Sequence, residues 1–233
     1  MVGQKAGAVI AAAGSSSRMG GADKIFAPLA GKPLLAHTLQ VFQETGAVDR
    51  VVVVLGEQSL EAGRRLVEDY GFSRVTAVCA GGARRQDSVA EGLRRLEGCE
   101  WVLIHDGARP CITPDVIERG LAEAAGAGAA IAAVPVKETV KTVDAGGTVR
   151  NTPPRGGLWL AQTPQVFRSD IIAEAYRRSQ GDDVTDDASL VEAAGYQVKV
   201  YMGSYDNIKV TTPEDLALAE MILRRTGEGR PRL

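Results

Sequence analysis

Runs that are apolar at successive positions alternate along this chain with runs of helical period, and that alternation narrows the choice of fold sharply. AGAVIAAA (6–13), RVVVVL (50–55), RVTAVC (74–79), WVLIH (101–105) and AAIAAVPV (129–136) are the apolar runs. Strands of this kind are buried on both faces, as in a parallel sheet covered by helices on either side. Between the first two, PLLAHTLQVFQETG (33–46) sets Leu34, Leu35, Leu39 and Phe42 near one helical face and stops at Gly46. Residues 58–70, 84–97 and 114–125 read the same way, and helices at 170–179, 186–194 and 213–225 with a strand at 197–202 complete the series. Pro213, after Thr212, falls in the first turn of the last helix, where its missing N–H costs nothing. The pattern predicts a three-layer α/β fold with a mostly parallel central sheet.

The rhythm breaks after Pro135. KETVKTVDAGGTVRNTPPRGGLW (137–159) contains two short alternating segments around Asp144-Ala145-Gly146-Gly147, a hairpin pattern. Two readings fit it: an ordinary surface hairpin, or an arm completed by a second subunit. An isolated two-stranded hairpin is marginal in water, which favours the arm. No repeat or linker divides the chain, so one α/β domain over 1–233 with an arm at about 137–158 is expected.

Hydrophobic residues are 45% of the chain and charged residues 24%, a mix able to bury one sizeable core. Basic and acidic residues nearly balance, 27 against 29. No global positive field exists to attract nucleic acid, so any anion site must be local. Cys79, Cys99 and Cys111 are odd in number and form no C-x-x-C, which fits a reducing compartment better than a disulfide framework or zinc site. The chain enters its first strand without a leader pattern, and no apolar stretch reaches the roughly 18 residues of a membrane span. A cytoplasmic setting with no membrane partner is expected.

Ligands of open α/β sheets bind beyond the carboxyl ends of the strands. After the first run comes Gly14-Ser15-Ser16-Ser17-Arg18-Met19-Gly20-Gly21, then Lys24. It is neither G-x-G-x-x-G nor a P-loop, but small residues let backbone N–H groups approach an anion, and Arg18 and Lys24 add charge. Taken alone, the same loop also fits a flexible turn with two solvated cations. After the third run, Gly81-Gly82 leads through Arg84 and Arg85 to Ser88 at a helix start, able to face a polar base edge. After the fourth come His105, Asp106 and Arg109: the carboxylate suits Mg2+, the arginine a phosphate, and the histidine reads as a satisfied core residue. Asp206 and Lys209 precede the last helix. Such loops along one sheet edge point to a nucleotide site. Only His37 and His105 are present, and no G-x-S-x-G elbow supports a serine hydrolase.

These loops carry finer motifs. A-A-G-x-x-x-R-M with a following lysine resembles the superfamily of nucleotide-sugar pyrophosphorylases and cytidylyltransferases. GGARRQDSV (81–89), HDGARP (105–110), VKETVK (136–141), GLWLAQTPQ (157–165), TDDAS (185–189) and DNIKVTTPEDLALAE (206–220), in that order, are similar to the 2-C-methyl-D-erythritol 4-phosphate cytidylyltransferase family from about residue 6 to 225. The resemblance implies a Rossmann-like α/β/α fold and a homodimer joined through the arm. It implies a divalent cation, normally Mg2+, and transfer from CTP to methylerythritol phosphate with release of pyrophosphate. Carried over, Ala12, Ala13, Gly14, Gly82 and Ser88 would surround cytidine, while Arg18 and Lys24 would grip the triphosphate and stabilise the transition state. Asp106, with Asp206 beside it, would serve the Mg2+–triphosphate and ribose region. Arg155 and Lys209 would hold the second substrate, with Arg109, Thr139 and Thr185 completing its pocket, some of them from the partner subunit. The chain departs from the commonest family pattern at Ala83, often acidic, and at Gly107, often alanine.

This chemistry needs no histidine base, because a substrate phosphate is already an oxygen nucleophile at neutral pH. Positioning and charge neutralisation are the protein's task. The alternatives are a cytidylyltransferase for another polyol phosphate such as ribitol 5-phosphate, a non-catalytic nucleotide-binding module, and a domain whose glycine turns are only turns.

Overall fold

The computed structural model describes residues 5–14, 24–179 and 184–227. Strand β1 (Ala6–Ala12) is followed by a small ribbon, β2 (Pro28–Leu29) with β3 (Lys32–Pro33), and by helix α1 (Leu34–Glu44). Then come β4 (Arg50–Leu55), α2 (Leu60–Asp69), β5 (Val75–Ala80), α3 (Arg85–Leu93), β6 (Trp101–Asp106), α4 (Pro114–Ala127) and β7 (Ala129–Pro135). A second ribbon pairs β8 (Thr142–Val143) with β9 (Val149–Asn151). The series closes with β10 (Trp159–Arg168), α5 (Ser169–Arg178), α6 (Asp187–Ala193), β11 (Lys199–Met202) and α7 (Pro213–Gly227).

Seven strands form the main sheet in the order β11-β7-β10-β6-β1-β4-β5. β1 runs parallel to β4 and β6, β4 to β5, and β11 to β7, whereas β10 is antiparallel to both its neighbours. Successive side chains of β1 enter opposite layers. Ala8 and Ile10 pack with Leu35, Leu39 and Phe42 of α1 and with Ile117 of α4; Val9 packs with Val89 of α3 and with Ile172 and Val191 of α5 and α6. Burial of both strand faces explains why the runs are continuously apolar, each fully buried Leu, Ile or Phe contributing roughly 1.5–3 kcal/mol. Gly92 lets α3 lie close on the sheet: a Cβ there would sit 2.5 Å from Val9 Cγ1. The chain leaves β1 toward β4 and β5, then returns to β6 on the other side, so the carboxyl ends of β1 and β6 flank a topological switch point.

The hairpin at 137–159 forms as expected. Asp144 Oδ1 accepts from the N–H groups of Gly146 and Thr148, and Gly147 takes a φ of +81°. Every residue of β8 and β9 is exposed. The last helix opens on a reciprocal cap, in which Asp215 Oδ2 accepts from Thr212 N (2.9 Å) and Thr211 N (2.7 Å). Among the described residues no helix is long and apolar enough to cross a membrane.

One central strand is absent from the sequence-based expectation. Residues 159–168 contain Gln162, Thr163, Pro164 and Gln165 in place of an apolar run, yet β10 lies between β6 and β7. Its buried polar side chains are satisfied by partners far along the chain: Gln162 Nε2 donates to the Ser204 carbonyl (2.9 Å), and Gln165 Nε2 to Asp186 Oδ2 (2.8 Å).

Candidate active site

Two adjoining recesses open at the carboxyl edge of the sheet. The larger, about 350 Å3, is lined by Ala11–Gly14 at the end of β1 and just beyond it, Lys24 and Ile25, the turn before α3, Asp106 at the end of β6, and Lys209. The smaller, about 220 Å3, is lined by Arg109, Gln162, Thr163, Gln165, Thr185 and Asp186. Arg85, Asp106 and Lys209 line both.

The wall after β5 is a tightly tied glycine turn. Gly82 N–H donates to Ser88 Oγ (3.1 Å), and that hydroxyl donates to the Arg84 carbonyl (3.1 Å). A Cβ on Gly81 would stand 2.4 Å from Ser88 Oγ, and one on Gly82 2.4 Å from Asp87 Cβ, so the path needs glycine at both positions. Ser88 therefore lines the recess with its hydrogen already committed, leaving only acceptor capacity toward a ligand. Both adjacent arginines line the larger recess, but Arg84 is paired with Asp87 (2.8 Å), whereas Arg85 reaches inward to Asp187 and Asp106.

Asp106 is the electrostatic centre. Its carboxylate meets Lys209 Nζ at 3.0 Å, Arg109 Nε at 3.2 Å and Arg85 Nε at 3.7 Å. Burial alone would raise its pKa, but Lys209, Arg85 and Arg109 outweigh that and hold the carboxyl well below the usual range. Arg109 is steadied by donating to the Asn207 carbonyl (2.8 Å). Three cations share one carboxylate here and Lys24 faces the same space, leaving the surplus of positive charge that a polyanion needs.

His105 is fully buried and holds this corner together. The Arg109 carbonyl facing His105 Nε2 at 3.4 Å can only accept, which places the neutral ring's hydrogen on Nε2; Nδ1 then accepts from Thr163 Oγ1 (3.0 Å), whose oxygen itself accepts from Asp106 N–H (3.0 Å). Burial lowers the pKa of His105 to about 4, against the pull of Asp106. The folded value lies below the ordinary one, so this stability contribution is complete above about pH 6.5 and is lost as pH falls toward 4. At 1.36 kcal/mol per unit, the loss over that window is on the order of 3 kcal/mol. Urea unfolding from pH 7 to 4 is expected to show a steeper decline for the wild-type protein than for His105→Asn. Equal slopes would mean that His105 carries no such linkage.

The sequence-predicted residues divide into four sets. Ala12, Ala13, Gly14, Lys24, Gly82, Ser88, Asp106, Arg109, Thr185 and Lys209 come together around the two recesses. Arg18 lies outside the described residues. Thr139 and Arg155 stand in the segments flanking the β8–β9 ribbon, exposed and lining neither recess, with Arg155 Nη1 donating to the Lys137 carbonyl (2.7 Å). Asp206 corrects an expectation: it does not line the cleft beside Asp106 but accepts from Arg225 Nη2 at 2.7 Å, because the last turn of α7 brings that cation to it. Sequence reasoning left Arg85 undecided and missed its partner Asp187, although the quoted TDDAS contains it.

The family model described as 2-C-methyl-D-erythritol 4-phosphate cytidylyltransferase matches residues 6–225. A protein of that name from Dehalococcoides mccartyi (strain 195) is 55% identical over 222 residues, covering 95% of this chain and 97% of the relative. One from Alkaliphilus oremlandii is 46% identical, covering 97% and 98%. Among solved structures, the 4-diphosphocytidyl-2C-methyl-D-erythritol synthase of Anaerococcus prevotii superposes with a TM-score of 0.84 at 31% identity, covering 96% of this chain and all of that one. The 2-C-methyl-D-erythritol 4-phosphate cytidylyltransferase of Thermus thermophilus gives 0.77 at 34% identity, covering 94% and 99%.

Proposed function

The chain belongs to the 2-C-methyl-D-erythritol 4-phosphate cytidylyltransferase family, and on that premise we propose that its larger recess holds CTP, its smaller recess the polyol phosphate, and that the two meet at Asp106. It is a nucleotidyltransferase that joins CTP to 2-C-methyl-D-erythritol 4-phosphate, giving 4-diphosphocytidyl-2-C-methyl-D-erythritol and pyrophosphate in isoprenoid precursor synthesis. The observation that carries the assignment of recesses is their shared wall, where Arg85, Asp106 and Lys209 face both.

In this reading the small residues Ala12, Ala13 and Gly14 and the Gly81–Gly82 turn let backbone groups approach the nucleotide closely. Lys24 and Arg18 bind the triphosphate and neutralise charge as pyrophosphate leaves. Lys209 and Arg109 bring the substrate phosphate into line with the α-phosphorus, with Thr185 beside them. No residue has to remove a proton, which agrees with a His105 that is buried, neutral and used for structure. A phosphate oxygen attacks, and the bond to the β-phosphate breaks with its electrons on the leaving oxygen.

Asp106 fits Mg2+ arriving with a nucleotide, since that ion is hard and is bound by one or two carboxylates together with substrate phosphates. One carboxylate in the larger recess, rather than a cage of three or more ligating side chains, is what the described residues offer. Bound there, Mg2+ would screen the triphosphate charge.

A homodimer belongs to the same proposal. Val143 and Val149 on the arm are each 54% exposed and Leu160 at its base 57%, an apolar surface that a second copy would cover, bringing Thr139 and Arg155 to the neighbouring site. A cytoplasmic setting suits its water-soluble phosphorylated substrates.

The test is pyrophosphate release by the purified chain with CTP and Mg2+, comparing methylerythritol phosphate with ribitol 5-phosphate, and sedimentation of the same preparation. Release with the first substrate from a species of twice 24.5 kDa is expected. Release only with ribitol 5-phosphate would keep the chemistry and overturn the substrate. A fully active monomer would overturn the role given to the arm.

A further inference from the structure

The wall between the two recesses is held from behind by a group that touches neither. Arg85 reaches Asp106 at 3.7 Å but pairs more closely, at 2.7 Å, with Asp187. The Asp187 side chain is 1% exposed and lines neither recess. Three separate elements fix it: Tyr176 of α5 donates its hydroxyl hydrogen to Oδ1 (2.5 Å), Gln165 of β10 accepts from its backbone N–H (3.1 Å), and Arg85 of α3 supplies the charge. The Arg85 guanidinium is thus suspended between a buried carboxylate and the carboxylate at the centre of the cleft.

We propose that Asp187, steadied by Tyr176, is a positioning residue for the transfer reaction: it draws Arg85 off Asp106 and so keeps both groups in their working places on the shared wall. The inference rests on the assignment of the two recesses to the two substrates. Coulomb attraction rises steeply as charges approach in a partly dry site. With Asp187 neutral, Arg85 closes onto Asp106, which Lys209 and Arg109 already contact at 3.0 and 3.2 Å. Asp106 then has no face left for an incoming nucleotide complex, and the wall shifts toward one recess. Burial acts against both charges of the pair and pushes the Asp187 carboxyl up, but the 2.7 Å contact with Arg85 and the Tyr176 hydrogen bond favour its ionised form, while Asp187 and Asp106 keep Arg85 protonated.

Asp187→Asn preserves the shape and still accepts from Tyr176, so it isolates the charge. It is expected to lower kcat at least tenfold while changing the KM for CTP less than threefold. Tyr176→Phe, which removes one anchor from a residue outside both recesses, is expected to lower kcat severalfold in the same direction. A merely structural role would not predict the decisive readout, a double-mutant cycle. In an Arg85→Met background, Asp187→Asn and Tyr176→Phe should each change kcat less than twofold, because their route to the cleft is gone. Thermal unfolding of each variant identifies any that fails to fold; if Asp187→Asn does, the Tyr176→Phe pair of measurements decides. Effects that multiply with Arg85→Met, or a folded variant with wild-type kcat, would overturn the positioning role while leaving the recess assignment standing. A wild-type protein that releases no pyrophosphate would overturn both.

Discussion

Lys24→Ala is expected to lower turnover by about 10²–10³-fold, the usual cost of removing one charge donor aimed at a developing anion. CTP affinity should fall much less. Lys24 opens a short 3-10 helix and lines the larger recess, while the next residue, Ile25, is 2% exposed and anchors that turn in the core. Truncation at Lys24 therefore removes a cation without removing the element that carries it. In the ground state the triphosphate charge is spread over many oxygens and shared among several cations. As pyrophosphate leaves, charge gathers on the departing oxygen, and a cation placed there stabilises the transition state more than the bound substrate. Single-turnover rates measured beside calorimetric CTP binding separate the two effects. Equal losses in both would show uniform binding of the triphosphate and refute a role in the chemical step.

Asp106→Asn should have three effects, on stability, on nucleotide binding and on turnover. Arg85, Arg109 and Lys209 now share one carboxylate. Neutralising it leaves these cations facing one another in a partly dry cleft, so the folded state should lose on the order of 2 kcal/mol, discounted from the fully buried case because Lys209 is partly in water. The stronger positive field should at the same time tighten binding of metal-free CTP. Turnover with Mg2+ should nonetheless fall by about 10²-fold or more, because the only carboxylate lining the larger recess among the described residues is gone. Calorimetry with and without Mg2+, alongside steady-state rates, reads all three. Weaker binding of metal-free CTP would mean that Asp106 organises the cations rather than opposing them, and would refute this account of the field.

The layers and most of the cleft were legible because their signals are local. Val51 to Leu55 are apolar at every position since both faces of β4 are covered, and the glycines at 81 and 82 mark a turn where any Cβ would collide. The loops that follow β1, β5 and β6 could be read as a site because parallel strands point their carboxyl ends the same way. β10 was not legible. Its central stretch has no apolar run to mark it as a buried strand, and its polar side chains are satisfied by Ser204, Asp186 and His105. The direction of Asp206 was equally hidden, since a carboxylate beside a lysine in sequence gives no sign of an arginine 19 residues later that claims it.

The amino-acid sequence by itself determined the alternating α/β architecture, the glycine-rich and cationic loops at the sheet edge and the hairpin after Pro135, because hydrophobic period and turn chemistry are properties of neighbouring residues. Only the tertiary structure decided that an antiparallel strand enters the sheet between β6 and β7, that Arg85 rather than Arg84 reaches Asp106, and that Asp187 stands behind it. The reason is physical. A charge taken out of water must find its counter-charge in space, and the partners of Arg85, at positions 106 and 187, share no local pattern with it.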